Sequence, residues 1–554
     1  MVGNTGTADN SPHEADYEIG TSDTEGMAEQ LDGARMHRFD EEMDGVAATV
    51  VLYALDRVRL DPPPIDMPKT KAELDKLGPT VTPEGLGGME ALRLFCEDLA
   101  PATISQDHPR NISFVPSAPT EAAVLFDLVV GATSIYGGSW MEGSGAVWAE
   151  NQALRWIADL VGLPEEAGGV FVSGGSAGNL SALVAARYQA QQNWGSQSGL
   201  PVGKEPTGGA RSEAEMGPDS SNWGYQEAEG APRPPRWYVA VSQGAHSSIA
   251  AAARVMDIGV LRVPVDSEGR MHADGLRMAI VEARERGIAV GETDCNPGIA
   301  SDTPAQPKGI VFAVVATSGT TNAGIIDDLA GVADVCSAEG LWMHVDGAYG
   351  GAALAAPSVR HKFNGIERAD SFIVDPHKWL FAPYDCAALL YRNPKLAAEA
   401  HAQHAAYLDV LQDDGEWNPS DYAFHLTRRA RGLPFWYSLA THGTDAYRDA
   451  IEASITLTGL VAQVIRDTPH LELLMEPDLS VLLFRRTGWS PAEYHAWSDA
   501  MLLAQRTFCV PTTVPNPSPD LQETHGDRET VLRFCFTNPR TTLADMVDIL
   551  ESLA

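Results

Sequence analysis

Residues Ser371–Phe381 read SFIVDPHKWLF. Ser371 to Val374 form an apolar run of strand length, and the chain then sets His377 and Lys378 side by side, next to Trp379. An isolated ammonium at the end of a buried strand is costly to desolvate. A lysine that forms an imine gives up that charge and becomes a reagent. Lys378 is either a surface lysine or such a reagent, and its place after a buried strand favours the second.

The same grammar repeats through residues 165 to 400. GVFVSGGSAGNLSALVAARYQA reads as strand, turn, helix, and RWYVAVSQGAHSSIAAAARVMDIG reads the same way. GIVFAVVATSGTTNAG and LWMHVDGAYGG add buried strands with polar ends. Strands alternating with helices predict a mostly parallel, helix-covered α/β sheet. In such sheets ligands bind beyond the carboxyl ends of the strands. The residues placed there are Ser173 to Asn179, His246, Thr320, Thr321, Asp346, His377 and Lys378.

Each position has a plain reading and a chemical one. The glycine-rich turn before a helix is a tight turn, or a phosphate site built from backbone N–H groups and the helix dipole. Asp346 is a cap or ion-pair member, or the partner of a protonated pyridine nitrogen. His246 caps the helix after it, or lays its imidazole on a ring. Taken together they fit pyridoxal 5′-phosphate: an imine lysine, a pyridinium partner, a ring stacker and a phosphate cradle.

The chain has 554 residues and a net charge of −36, from 39 basic and 75 acidic side chains. That surface repels nucleic acid and anionic membranes. No apolar stretch has the length of a membrane span, and the polar N-terminus lacks the pattern of a signal peptide. Six scattered cysteines without a CxxC pair predict buried free thiols and a cytoplasmic protein. His401 and His404 lie three apart without a third ligand at useful spacing, so they read as solvated histidines and no metal is expected.

DPHKW, HVDGAYGG, SQGAHSS and ATSGTTNAG, taken together, resemble the group II pyridoxal-phosphate-dependent decarboxylases, which act on aromatic amino acids, glutamate and related substrates. The resemblance runs from about residue 36 to the C-terminus. It implies an α/β, type I aminotransferase-like fold: a mostly parallel central sheet, a helical N-terminal segment and a small α+β C-terminal domain. It also implies a homodimer with shared active sites. It makes Lys378 the imine lysine, Asp346 the partner of the pyridine nitrogen, and Ala348 the packing beneath the ring. His246 stacks on the ring near the substrate carboxylate, Gly175 and Ser176 bind phosphate, and Thr321 stands beside the cofactor. His377 lies on the phosphate side, and Asp375 replaces the asparagine of many relatives, where a carboxylate would repel a phosphate dianion.

Tyr422 matches the family's mobile-loop tyrosine, which protonates Cα and whose absence in relatives gives aldehyde instead of amine. It therefore favours a plain decarboxylase, with an aldehyde synthase or carbon–carbon lyase on the same fold as the alternative. Phe114, Pro116 and Ser117 of FVPSA resemble the substrate loop of the aromatic decarboxylases. Tyr136 and Gly138 of SIYGGSW lie in the stretch that a partner subunit would contribute, with Gly138 where aromatic-specific relatives carry phenylalanine. A neutral L-amino acid, aromatic or branched aliphatic such as valine, is therefore the expected substrate. The expected divisions are a disordered acidic tail at 1–34 and a helical dimer-packing segment at 35–120. A large cofactor domain follows at 121–440, with an exposed insertion at 191–236 and a mobile loop at 401–430. A small domain at 441–554 closes the chain. The basic run RRARG is read as an anchor for the mobile loop.

Overall fold

The computed structural model describes residues 34–198, 236–291, 294, 307–403, 416–515 and 527–554. The expected acidic tail and most of the expected 191–236 insertion lie outside the described residues, as do positions 404–415 of the expected mobile loop.

The chain divides into two compact units. One comprises Met1–Arg59 and Lys69–Pro101. Its described part is helical. Asp40 caps the helix Glu41–Val58 by accepting from the Met43 amide, and Tyr53 meets Phe95 edge-on at 5.9 Å. A capping box between Thr70 and Glu73 opens the short helix Lys71–Leu74.

The other unit, Leu60–Pro68 with Ala102–Ala554, holds both sheets. The large sheet has eight strands: β1 (Gly168–Val172), β2 (Arg236–Ser242), β3 (Gly259–Val263), β4 (Ile288–Val290), β5 (Gly309–Thr317), β6 (Trp342–Asp346), β7 (Ser371–Val374) and β8 (Ala387–Tyr391). Their order is β1-β8-β7-β6-β5-β2-β3, with β4 also paired to β5. The pairings β2–β3, β2–β5, β4–β5, β5–β6 and β6–β7 are parallel, while β8 runs antiparallel to both β7 and β1. The carboxyl ends of β1, β2, β5, β6 and β7 therefore share one edge. All nine residues of β5 are buried, as expected of a strand covered on both faces.

Alternation along β6 sorts its side chains. Met343 and Val345 join one apolar core; Trp342 joins another on the opposite face, where His344 and Asp346 also point. A second sheet follows in order β11-β12-β10-β9, with β9 (Leu471–Leu473), β10 (Val481–Arg486), β11 (Thr512–Pro515) and β12 (Arg528–Cys535), all pairings antiparallel. It belongs to the same compact unit as the large sheet. Cys336, Cys386, Cys509 and Cys535 are buried free thiols, Cys96 is half-buried, and Cys295 lies outside the described residues.

The RRARG run is tied down. Arg428 forms a two-pronged pair with Glu150 at 2.7 and 2.9 Å, fully buried, and Glu150 also accepts from the Gly432 amide at 2.8 Å. Arg429 meets Asp127 at 2.8 Å, and Arg431 pairs with Asp385. Removing one member of a buried pair leaves the other charge without compensation. Glu150→Ala should therefore lower unfolding stability by about 3–5 kcal/mol, read as a lower urea midpoint at unchanged slope. A midpoint close to wild type would show that Arg428 finds other partners.

Candidate active site

A cavity of about 270 Å³ opens at the shared carboxyl edge of the large sheet. Nine positions that the sequence assigned to the cofactor line it: Gly175, Ser176, His246, Thr321, Asp346, Ala348, Asp375, His377 and Lys378. Chain topology brings them together, since each follows a different strand or lies on the segment just after one.

Lys378 sits in the turn after β7, where its amide donates to the Asp375 carbonyl at 2.9 Å. Its Nζ lies 2.9 Å from Asp375 Oδ2, and Asp375 is only 2% exposed. Burial by itself would lower the lysine pKa, but the Asp375 charge and hydrogen bond outweigh it, so the net shift is upward. Asp375 Oδ1 has no hydrogen-bond partner, and the carboxylate lies against Gly175, where a Cβ would come within 3.2 Å of it.

His377 accepts from the Cys386 amide through Nδ1 at 3.1 Å, and burial pushes its pKa down, which keeps the ring neutral. Trp379 is fully buried and stacks on Tyr349 at 5.4 Å with a 13° interplanar angle. The tryptophan beside the lysine thus anchors the turn to the core.

Asp346 ends β6 and is 4% exposed. Its Oδ2 accepts from Asn179 Nδ2 at 2.9 Å and its Oδ1 from the Ala348 amide at 3.1 Å. Both partners are neutral, and among the described residues no ion pair neutralises this cavity-lining carboxylate. His246 caps the helix Ser247–Val255 by accepting from the Ser248 amide. The turn Ser173–Gly174 leads into the helix Gly175–Ser198, whose first residues line the cavity. A Cβ on Gly175 would stand 3.0 Å from Ala348 Cβ, so glycine keeps this floor open.

These features fit pyridoxal 5′-phosphate. A buried acceptor stands where a pyridinium N–H needs one, and a helix start offers N–H groups to a phosphate. A half-buried lysine lies between them along the chain of contacts, touching Asp375 beside Gly175.

Other expected residues lie outside this cavity. The ring of Tyr422 stacks on Trp417 at 4.2 Å, and its carbonyl accepts from Tyr391 Oη. Burial pushes the Tyr422 phenol pKa upward. Tyr422 is therefore not among the described residues that line the cavity of its own chain. Phe114, Pro116 and Ser117 do not line the cavity either, yet they lie close to it. The buried Arg533 donates to the carbonyls of both Phe114 and Thr321, at 2.6 Å each. Pro116 accepts from Thr537 through its carbonyl, and Ser117 donates to the Ala382 carbonyl. Tyr136 donates to the Leu426 carbonyl at 3.1 Å, and its ring occupies the space that a side chain at Gly138 would take.

Sequence reasoning missed Asn179 as a partner of Asp346, and it missed Tyr384 and Asp385 at the cavity wall. Asn179 lies four residues after Gly175, one helical turn along the face that covers β6, and that spacing was the available signal. His401, expected to be solvated, is buried, with Nε2 2.9 Å from the Ser181 carbonyl; His404 lies outside the described residues. Among the described residues no helix is long and apolar enough to cross a membrane.

Residues 303–487 match the model of the pyridoxal-dependent decarboxylase conserved domain. An aromatic-L-amino-acid decarboxylase of Bacillus atrophaeus is 28% identical over 484 residues, covering 86% of this chain and 87% of that protein. An L-2,4-diaminobutyrate decarboxylase of Acinetobacter baumannii is 28% identical over 408 residues, covering 73% and 72%. Among solved structures, Oryza sativa TDC with PLP and tryptamine superposes with a TM-score of 0.74 at 21% identity, covering 93% of this chain and 99% of that one, a likeness of fold. The matched segment carries Thr321, Asp346, Asp375, His377 and Lys378, the chemical half of the cavity. Over most of its length the chain is similar to pyridoxal-phosphate-dependent amino acid decarboxylases, and its cavity residues fit the cofactor of that family, pyridoxal 5′-phosphate.

Proposed function

We propose that this protein decarboxylates a neutral L-amino acid, aromatic or branched aliphatic, to the primary amine and CO2. The observation that carries the reading is the single cavity wall shared by Lys378, Asp346 and His246. Lys378 would hold the cofactor covalently, Asp346 would accept its ring N–H, and Gly175 and Ser176 would hold its phosphate. When bound, the cofactor supplies the sink for the electron pair released as the Cα–carboxylate bond breaks. The protein's part is to orient that bond, to keep the ring nitrogen protonated through Asp346, and to deliver one proton to Cα. Among the described lining residues, Lys378 is the one Lys or Arg, against three aspartates, Asp346, Asp375 and Asp385. Among the described residues that line the cavity no second Lys or Arg stands ready for an acidic substrate side chain, which supports a neutral one.

The reading includes a homodimer in the cytoplasm. Exposed apolar side chains support the dimer: Met141 is 66% and Trp148 54% exposed on the helix Trp140–Val161. Sedimentation equilibrium at the mass of one chain would refute it.

The holoenzyme offered each of the twenty amino acids should release CO2 and amine fastest from a neutral one. Highest turnover on glutamate or aspartate would overturn the substrate class. Aldehyde with ammonia in place of amine would favour an aldehyde synthase. Lys378→Ala should abolish turnover and the bound-cofactor absorbance. Tyr422→Phe keeps the stacking on Trp417 but removes the phenol proton, so it should still release CO2 while part of the product goes to aldehyde, ammonia and peroxide. Amine at the wild-type rate with no peroxide would refute Tyr422 as the proton source.

Asp375 sets a pH dependence. Only the neutral amine of Lys378 attacks the cofactor aldehyde, so covalent uptake by the apoprotein should rise with pH toward the raised lysine pKa. The charge pair stabilises the apoprotein below that pKa and is lost above it. In Asp375→Asn the largest raising influence is gone while burial remains, so the uptake profile should move to lower pH. An unmoved profile would mean that Asp375 does not control the lysine.

A further inference from the structure

A chain of hydrogen bonds runs behind the cavity wall. Trp342 Nε1 lies 2.8 Å from Ser371 Oγ, and Ser371 Oγ lies 2.8 Å from His344 Nδ1. His344 Nε2 lies 2.8 Å from Asn179 Oδ1. Asn179 Nδ2 reaches both Asp346 Oδ2 at 2.9 Å and Ser248 Oγ at 3.0 Å. Ser248 Oγ lies 2.9 Å from His246 Nδ1. Trp342, Ser371, His344, Asn179 and Ser248 are all buried.

The chemistry of the two ends fixes every proton between them. An ionised carboxylate only accepts, so the Asn179 atom facing Asp346 is the amide nitrogen and its other atom is the oxygen. That oxygen also only accepts, so His344 carries its proton on Nε2. Burial pushes the His344 pKa down to about 4, so the ring is neutral and Nδ1 accepts. Ser371 must donate to it. From the far end the answer is the same: the indole N–H of Trp342 only donates, so Ser371 Oγ accepts there and spends its own proton on His344.

The second amide hydrogen of Asn179 goes to Ser248 Oγ, which leaves the Ser248 hydroxyl to donate to His246 Nδ1. The Ser248 amide donates to the same nitrogen at 3.2 Å. A nitrogen that accepts twice carries no proton, so the His246 proton sits on Nε2.

We propose that Trp342, Ser371, His344, Asn179 and Ser248 form a directional relay that fixes the tautomer of His246 and presents its Nε2–H as a donor in the cavity. These five are positioning residues. Asn179 is the junction: one amide group orients Asp346 and, through Ser248, His246. In this state His246 cannot take up a proton at Nδ1 without breaking two bonds. It serves as a hydrogen-bond donor, and the carboxylate of the amino acid is the acceptor under the decarboxylase reading, on which that last assignment rests.

Neutron diffraction from deuterated holoenzyme crystals reads the proton positions directly. Deuterium is expected on Nε2 of both His246 and His344, with Nδ1 bare. Deuterium on Nδ1 of either ring would overturn the relay. Ser248→Ala removes the side-chain link to His246, the backbone amide bond to Nδ1 remaining, and leaves Asp346 and Lys378 in place. It should lower kcat/KM about tenfold, the size of one lost hydrogen bond, with bound-cofactor absorbance retained. Ser248→Thr, which keeps the hydroxyl, should recover most of the loss. An Ala variant within about twofold of wild type would also overturn the relay. Failure of the decarboxylase reading would appear separately, as no amine from any amino acid with the proton positions unchanged.

Discussion

A charge inside this sheet is tolerated only where the sheet ends. β5 is buried along all nine residues, β7 along all four, and neither holds an ionisable side chain. β6 holds two ionisable groups: His344, kept neutral, and Asp346 at its last position. The cost of desolvating charge thus pushes the reactive side chains to one edge, and parallel pairing makes that edge common to β2, β5, β6 and β7. The site follows from the fold because the same penalty governs both.

That penalty also explains what could be read from the sequence. Buried strands announce themselves as apolar runs, and their ends as sudden polar residues, so Lys378, Asp346, His246 and the Ser173–Ser176 turn were legible together. Nine assigned cofactor positions meet at one cavity. Internal partners were harder to see. His344 stands two residues before Asp346 in WMHVD and reads as one polar interruption in a strand. Its role emerges only when the helix Gly175–Ser198 lays Asn179 across it. Pairing between elements far apart in sequence is a tertiary fact, and no local pattern carries it.

The residues read as substrate pocket and lid were least legible for a related reason. Phe114, Pro116, Ser117, Tyr136 and Gly138 lie outside the named helices and strands, in segments where no periodic pattern fixes direction. Their backbone groups are anchored by distant partners such as Arg533 and Leu426, so neighbours in sequence do not reveal which way each side chain turns. Gly138 illustrates the point. Read alone it is a missing side chain; in the structure Tyr136 fills its space, so bulk has moved by two residues rather than vanished.

Two buried aspartates in one cavity differ because their neighbours differ. Asp375 is met by the ammonium of Lys378 at 2.9 Å and so stores a charge that is balanced until the lysine reacts. Asp346 is met by an amide side chain and a backbone amide, which orient it without neutralising it. A carboxylate held by neutral donors stays ready for a cation that arrives with the ligand, whereas one held by lysine is engaged beforehand. Under the proposed reading, covalent use of Lys378 would take from Asp375 its nearest partner beside the Gly175 turn, where Oδ1 has no hydrogen-bond partner among the described residues. Binding the ligand therefore satisfies one aspartate and unsettles the other. In that reading the asymmetry would give the cavity a direction, with Asp346 on β6 receiving the ring nitrogen and Gly175 and Ser176 the phosphate.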